Sequence, residues 1–504
     1  MTQPEPSTLW SEYQKGQSFN NALGLYETVE RNEDFFTGNQ WRGVNAPDLD
    51  KPVVNVLSRV VRFCISTIMS DDIGVGLDSF DGGEAEKPVL DMLSDQFDKI
   101  MEQTAFKKKA REVIRNAAVD GDGCMHFYFD PSAPAVKSSV FQGTPGAIRA
   151  EILENTNIHF GNPQSADVQS QPYLLLVYRR LVKDVRSMAQ HYGMDAEDIV
   201  PDEDDHRHGD APEDGKVTVI RRYWKENGTV WFTEATRQAL VRPATDTGYQ
   251  KYPLAFFAWE KVKNQYHGQA LVTAVIPNQI YINKLFAMAM QHVKMMAFPK
   301  VVYNKNLLPG GWDNRVGAAI GVPGDPAAAV AANFRAADMS NQVMELLNTM
   351  ISYTRDTMGA SDSVLGNVTP NNTSAIVATQ KATTMPLELQ KQDFYAFVED
   401  SVRIWLDVRP VHLADADSQR TEPFDFSKLE DMSLHLNVEI GAATYWSEVM
   451  QVQTLDALFQ NGILTDAEVY LENLPKGVLT GRDELVRAIR EQKAASQLMG
   501  GGVQ

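Results

Sequence analysis

The chain has 504 residues and a net charge of −19, and 43% of its residues are hydrophobic. This length predicts roughly three domains, and the hydrophobic fraction is sufficient for a large buried core. The excess of acidic residues argues against a protein that grips nucleic acid tightly, because such binding needs Lys and Arg against the phosphates.

The cysteines and the N-terminus exclude further classes. Cys64 and Cys124 are the only cysteines and lie in apolar contexts, so they indicate buried free thiols in a reducing compartment rather than a disulfide framework. The first residues, Met1 to Pro6, lack the basic and apolar regions of a signal peptide. No run of about 18 apolar residues is present, so no membrane-spanning helix is expected.

The first half of the chain is predicted to be α+β, with helices first and an antiparallel sheet after them. Apolar residues at helical spacing predict helices over about 18–37 and over 87–120. Between these two, another apolar helix is predicted to end near residue 70. From Cys124 onward, short β-branched and aromatic runs predict strands at 125–129, 148–153, 173–178, 217–224 and 229–233. Asn227-Gly228 is typical of a hairpin turn between the last two, and the apolar run 252–259 predicts a buried strand.

Helices return after Gly268. A long apolar helix is predicted over 271–296, and Pro277 either kinks it or begins its main part. A Pro/Gly-rich insert, 298–337, follows, with strands expected at 300–303 and 318–322. The next helix, 341–358, has an amphipathic stripe. The residues of this stripe are Val343, Leu346, Leu347, Met350, Ile351 and Met358.

The remainder begins with a segment that cannot continue a helix, because residues 359–373 are rich in Gly and Asn. A further long helix is predicted over 374–407, with Pro386 inside it. A strand is expected at 434–440. Short helices are predicted at 446–460, 466–474 and 482–498.

Catalytic motifs are absent from the sequence. No phosphate-binding G-x-x-x-x-G-K-[ST] loop, H-E-x-x-H, C-x-x-C or G-x-S-x-G is found. The one cluster that resembles a metal site is Asp202-Glu-Asp-Asp-His-Arg-His208, but its ligands are crowded on one loop, so a solvated charged loop is the favoured interpretation. The sequence therefore predicts no enzyme and no cofactor.

Four segments follow one another along the chain: Phe35-Phe36-Thr-Gly-Asn-Gln-Trp41, Lys51-Pro-Val-Val-Asn55, the stretch from Tyr266 to Asn283, and the stretch from Gly359 to Pro386. Together they resemble the portal proteins (head-to-tail connectors) of tailed bacteriophages. The order and spacing of these segments over about residues 15–410 carry the resemblance, since no single motif is specific.

The resemblance implies a mostly helical α+β portal fold that assembles into a ring of about twelve subunits around a channel. Residues 1–267 would form the wing, closed by 375–440, which contribute a long kinked helix and a return strand. The implied stem helices are 268–297 and 341–358, the clip is 298–340, the tunnel loop is 359–374 and the crown is 441–504.

The implied function is a DNA channel at the capsid vertex for genome packaging and ejection. Its expected partners are other copies of itself, the large terminase subunit, the head–tail adaptor, the major capsid protein, and double-stranded DNA that passes without tight binding. The expected location is the virion, after assembly in the host cytoplasm, with no membrane contact. Two alternatives stay open: another structural protein of the virion, and a metal-dependent hydrolase that uses residues 202–208.

Candidate site residues follow from this resemblance. Tunnel-loop and channel candidates are Val364, Leu365, Asn367, Asn371, Asn372 and Lys381. Stem residues Glu345, Asn348, Ser352 and Asp356 lie opposite part of the apolar stripe and either line the channel or face a neighbouring subunit. Clip candidates for partner binding are Lys305, Leu307, Trp312 and Arg315. Without the resemblance, the loop reads as an ordinary helix connection and Lys381 as a solvated or salt-bridged lysine.

Overall fold

The protein is mixed α/β, with more of its described residues in helices than in strands. The computed structural model describes residues 3–69, 72–79, 97, 100–131, 133, 146–202, 215–297, 300–301, 304–306, 311, 313, 324–325, 333–334, 341–357, 360, 385–417, 434–441, 445–464, 467–474, 485–486 and 489.

The first quarter of the chain is mostly helical among its described residues. Its longer helices are α1 (Pro6–Ala22), α2 (Leu25–Thr37), α3 (Val56–Ile68) and α4 (Phe106–Asp120). The prediction of one helix over 18–37 is wrong, because helix begins at Pro6 and is broken at Gly24, whose φ of 64° is left-handed. Pro6 suits the first helical position, where no N–H is needed.

The predicted helix 87–120 is also interrupted. Residues 100–103 are helical, but Ala105 takes a φ of 52°, and α4 begins at the next residue. Ala has no special tolerance of the left-handed region, so no sequence signal marks this break. Residues 87–96 lie outside the described residues.

Two antiparallel sheets follow. Their strands are β2 (Asp122–Asp130), β3 (Ala147–Leu153), β4 (Ile158–Phe160), β5 (Tyr173–Leu181), β6 (Lys216–Glu226), β7 (Thr229–Ala235), β8 (Leu240–Asp246) and β9 (Leu254–Ala258). The first sheet has the order β3-β2-β9 and the second has the order β4-β5-β6-β7-β8. Every strand predicted in this region is confirmed, whereas β4 and β8 were not predicted. Helix α5 (Val182–His191) connects β5 to the segment before β6.

The predicted hairpin is confirmed between β6 and β7. Glu226 pairs with Thr229, which leaves Asn227 and Gly228 as the two turn residues. Both have positive φ, 54° and 88°, as the tight turn requires.

The predicted strand 434–440 is confirmed as β12 (Leu434–Gly441). It pairs antiparallel with β1 (Asp72–Ser79), so that Asp72 lies opposite Gly441 and Ser79 opposite Leu434. The strand β1 was not predicted, although its apolar residues alternate with Gly and Asp. This pairing joins the late part of the chain to its first quarter.

The second half of the chain contains three long helices among its described residues. They are α6 (Leu271–Ala297), α7 (Asn341–Thr357) and α8 (Glu388–Asp417). Pro277 lies inside α6, so the helix does not begin there. The predicted end at 407 is wrong, because α8 continues to Asp417, and Pro386 lies in a short 3₁₀ turn before it. None of the described helices is both long and apolar enough to cross a membrane.

Between α6 and α7 the structure describes a short antiparallel pair, β10 (Lys300–Val301) and β11 (Asn333–Phe334). The first lies in a predicted strand, and the prediction at 318–322 falls outside the described residues. After β12 come α9 (Tyr445–Gln460) and α10 (Ala467–Glu472), close to two predicted helices. Of the predicted helix 482–498, only 485–486 and 489 are described, and these are helical.

The main core lies between the helices and the three-stranded sheet. It takes side chains from α2, α3, α4, α6, α8, β2 and β9. Trp405 of α8 is fully buried at its centre, with its ring 5.1 Å from that of Phe106 and 5.6 Å from that of Phe127, both edge-on. Cys64 and Cys124 are buried free thiols, as predicted. A second, smaller core packs α5 against β6 and β8.

Candidate functional site at the paired long helices

The helices α6 and α7 pack against each other and flank the insert 298–340. From α7, Leu347, Met350 and Ile351 pack into the main core, and Leu347 is only 4% exposed. From α6, Ile280, Leu285 and Phe286 pack against the same core. The two helices therefore form one packed unit that is joined to the main core.

A buried network of side-chain amides holds the first half of α6, which we call its base. Gln279 and Asn283, one helical turn apart, are 0% and 3% exposed. Gln279 donates to the carbonyl of Val54 at 2.7 Å and accepts from the backbone N–H of Leu57 at 3.1 Å. The Leu57 N–H lies in the first turn of α3 and has no partner within that helix, so Gln279 supplies one.

Asn283 completes this network. Its Oδ1 accepts from the Val54 N–H at 3.2 Å and from the Gln279 side chain at 3.0 Å. Its Nδ2 donates to Gln40 at 2.6 Å, and Gln40 in turn donates to the carbonyl of Phe35 at 2.8 Å. Buried amides are stable only when their hydrogen bonds are made, so these contacts fix the position of α6 on the body.

Three of the segments that carry the resemblance thus meet at one place. Asn55 caps α3 by accepting from the Ser58 N–H at 2.9 Å, and it donates to the carbonyl of Phe36 at 3.1 Å. Sequence reasoning missed this network. The available signal was a Gln and an Asn at i and i+4 on the apolar side of a predicted helix.

A second contact holds the chain just before α6. The backbones at Gly268 and Gly121 are so close that a Cβ on Gly268 would lie 2.4 Å from the Gly121 carbonyl oxygen. The neighbouring His267 is buried and hydrogen-bonds through Nδ1 to Asp122 at 2.9 Å and through Nε2 to Asn20 at 3.1 Å. Glycine is therefore required at 268 by close approach of two backbones.

Asp120 lies beside this contact, at the last position of α4. Burial raises the pKa of its carboxyl to about 7, and the nearby positive charge of Arg115 opposes this shift. Its buried Oδ1 has no hydrogen-bond partner among the described residues. A carboxyl that is costly to ionise therefore lies at the end of α4, next to the contact between Gly121 and Gly268.

The far end of α6 has a different character. Met288, Val293, Met295 and Met296 are 53%, 56%, 50% and 44% exposed, although all are apolar. Every residue from Val293 to Ala297 is exposed in the single subunit. Exposed apolar side chains grouped in this way are typical of surfaces that contact another molecule, and Lys294 among them pairs with Asp50.

The helix α7 presents distinct faces. The predicted apolar stripe is correct for Leu347, Met350 and Ile351 but wrong for Leu346, which is 51% exposed beside Tyr353 at 68%. Met358 lies outside the described residues.

The stem candidates lie on the opposite, polar side of α7 by helical spacing. Glu345, Asn348 and Asp356 are exposed, and Ser352 is half-buried. They form one stripe along α7.

Most of the other candidates fall outside the described residues. These are Val364, Leu365, Asn367, Asn371, Asn372 and Lys381 of the loop, and Leu307, Trp312 and Arg315 of the clip. Lys305 is described and is exposed.

The metal-like cluster is described only at its first residue. Asp202 accepts a hydrogen bond from the Thr218 hydroxyl at 2.7 Å, and residues 203–208 lie outside the described part. Within the part of the chain that the structure describes, no group of three or more His, Cys, Asp or Glu side chains is placed to hold a metal ion.

Comparison with known proteins adds one match. Residues 45–144 match the family model described as the bacteriophage T4-like portal protein (Gp20). The matched range contains α3, β1, α4 and β2 and confirms the resemblance to phage portal proteins. Portal proteins are structural components of the phage rather than enzymes. No curated protein matches the chain.

Proposed function

We propose that this protein is the subunit of a portal ring, through which DNA enters and leaves a phage capsid. The match over residues 45–144 carries the proposal. That range includes Val54 and Leu57, the two residues whose backbone groups bind Gln279 of α6. The paired long helices are therefore fixed directly to the region that matches the portal family.

In this proposal α6 and α7 form the stem, and residues 298–340 between them form the clip. The exposed apolar side chains at the end of α6 would be covered by neighbouring stems in the ring, since burial of apolar surface drives such association. The polar stripe of Glu345, Asn348, Ser352 and Asp356 would face the channel. Its carboxylates and the net charge of −19 would keep DNA mobile by repelling phosphates.

The finer assignments follow the same scheme. The clip would bind the terminase motor during packaging and the head–tail adaptor afterwards, with Lys305, Leu307, Trp312 and Arg315 as contact candidates. Residues 359–374 would form the tunnel loop, and the segment after Gly441 would form the crown. DNA movement would be powered by the motor, because the sequence has no phosphate-binding loop of its own.

Electron microscopy of the purified protein tests the proposal. We expect closed rings of about twelve subunits with a central hole. A protein that stays monomeric under all assembly conditions, and that is missing from the vertex of phage particles, would overturn it.

The tunnel-loop role has its own test. We expect deletion of residues 363–368 to leave rings intact but to impair packaging or retention of DNA, because the loop would act as a valve against backflow. Deletion of an equal number of residues from the C-terminus, 499–504, is the control. Fully filled particles from the loop deletion would contradict the valve.

A further inference from the structure

Two helices are basic in a chain that is strongly acidic. The chain carries a net charge of −19, yet α3 contains two arginines and no carboxylate. Helix α4 contains five basic residues and only two acidic ones, Glu112 and Asp120. The basic residues are Arg59 and Arg62 in α3, and Lys107, Lys108, Lys109, Arg111 and Arg115 in α4.

The side chains of the two helices meet at one aromatic ring. The guanidinium carbon of Arg62 lies 6.0 Å from the centroid of Phe36, and that of Arg115 lies 5.3 Å from the same centroid. Helical spacing puts Arg59 beside Arg62, and puts Lys108 and Arg111 in line with Arg115. We call the surface formed by Arg59, Arg62, Lys108, Arg111 and Arg115 the basic face.

Among the residues that the structure describes, few carboxylates face the basic face. Arg115 donates to the Glu33 carboxylate at 2.6 Å. The other four side chains are exposed and have no carboxylate within salt-bridge distance among the described residues. Like charges held together repel one another, so this surface is stabilised by any opposite charge that covers it.

An acidic segment lies elsewhere on the subunit. Asp195, Glu197 and Asp198 are exposed, and Asp202 is half-buried. We call residues 195–202 the acidic segment; the sequence after it, 203–214, adds six further carboxylates and one arginine.

The acidic segment and the basic face belong to different parts of the fold. Ile199 anchors the acidic segment in the second core beside Val185 and Val217, and Arg186 donates to the Ile199 carbonyl at 2.8 Å. The basic face instead stands on the main core, where α3 and α4 pack against α2 and α6. The acidic segment of a subunit is therefore not packed against the basic face of that same subunit.

We propose that the basic face of one subunit docks on the acidic segment of a neighbouring copy. Two different surfaces on each subunit give a heterologous contact, the kind that closes into a ring. A second copy supplies the complementary surface, because its exposed Asp195, Glu197 and Asp198 carry the charge opposite to that of the basic face. This inference rests on the proposed ring and names the two surfaces through which neighbouring subunits contact each other.

Charge reversal and charge exchange test the contact. The variants are Arg62→Glu with Arg111→Glu, then Glu197→Lys with Asp198→Lys, then all four together. Lys263→Glu with Arg403→Glu, two exposed positions outside the basic face, has the same change in charge as the first pair. Circular dichroism checks that each variant folds, and analytical ultracentrifugation measures the subunit concentration at which assembly is half complete.

We expect each pair of reversals to raise the concentration for half-complete assembly by about tenfold or more. The fourfold variant, which combines all four substitutions, should return that concentration to within about threefold of the wild-type value. Added salt should weaken wild-type assembly and have less effect on either pair of reversals. The proposal is overturned if the fourfold variant assembles no better than the first pair, or if the control pair has the same effect. It is also overturned if the reversals leave assembly unchanged and instead reduce binding of a double-stranded DNA fragment.

Failure of this inference is distinct from failure of the proposed function. Rings that form normally whatever the charge of the basic face contradict only the docking contact. Charge-dependent association that stops short of a ring supports the docking contact and contradicts the portal function. A wild-type chain that never self-associates contradicts both.

Discussion

The first half of α6 is held by buried polar contacts, whereas its last turns leave apolar side chains in water. Gln279 and Asn283 are almost completely buried and bind backbone groups of α3 and its N-terminal flank. From Met288 onward the helix is equally apolar but largely exposed. One continuous helix thus has two environments.

This difference separates the forces that position α6 within the subunit from those that would hold several copies together. At the base, directional hydrogen bonds set the position and angle of α6, because buried amides tolerate few alternative partners. At the far end Val293, Met295 and Met296 are exposed in the single subunit, so this apolar surface would gain its stabilisation from other copies in the proposed ring. Mutations at the base should therefore act on folding, and mutations at the far end on assembly.

The largest effect is expected from Gln279→Ala. It removes the partners of the Val54 carbonyl and the Leu57 N–H inside the core, so we expect the free energy of unfolding to fall by about 3 kcal/mol. Denaturant unfolding of the dissociated subunit measures it. Gln291→Ala, at an exposed position in the far half of the same helix, is the matched control and should change stability by less than about 0.5 kcal/mol. Equal effects of the two variants would contradict the comparison.

A smaller effect is expected from Asp120→Asn at the end of α4. The folded subunit keeps the Asp120 proton up to about pH 7, whereas the unfolded chain releases it at about pH 4. Because the native state binds more protons in this window, the free energy of unfolding should fall as the pH rises from about 4 to 7.

The asparagine variant lacks this proton. Relative to the wild type it should gain about 1–2 kcal/mol at pH 8 and little at pH 4, after allowance for the partial exposure of the carboxyl. Unfolding curves at both pH values check this, with Asp195→Asn at an exposed site as the control. A constant difference between wild type and variant at the two pH values would show that Asp120 ionises normally.

The smallest effect on the subunit is expected at the far end. Val293→Ser with Met296→Ser alters side chains that are already about half exposed, so the free energy of unfolding should change by less than about 0.5 kcal/mol. Assembly should nevertheless require about tenfold more protein, because apolar area is lost from the contact between copies. A large loss of subunit stability without loss of assembly would reverse the assignment of the two halves.

Most of the described strands and the long helices followed from local patterns, whereas β1, β4 and β8 were not predicted. The hairpin at Asn227-Gly228 was predictable because two residues with positive φ need the residue types found there. The helix α7 was predictable from its apolar spacing, and its Leu347 side chain is buried as expected.

Breaks and extensions of helices were less predictable. The interruption at Ala105 comes from a left-handed φ that alanine does not favour, so packing around α4 imposes it. The helix α8 runs to Asp417 although it contains Pro410, because a proline costs a helix one hydrogen bond and does not always end it.

The sequence by itself determined the alternation of helices and strands, the turn chemistry, the buried thiols and the resemblance to portal proteins over the segments quoted. These features depend on residues close together in the chain. Only the tertiary structure brought Gln40, Val54, Leu57, Gln279 and Asn283 together and left one half of α6 buried and the other exposed. Contacts across more than two hundred residues depend on how the elements pack, and packing is decided by the whole core rather than by any local pattern.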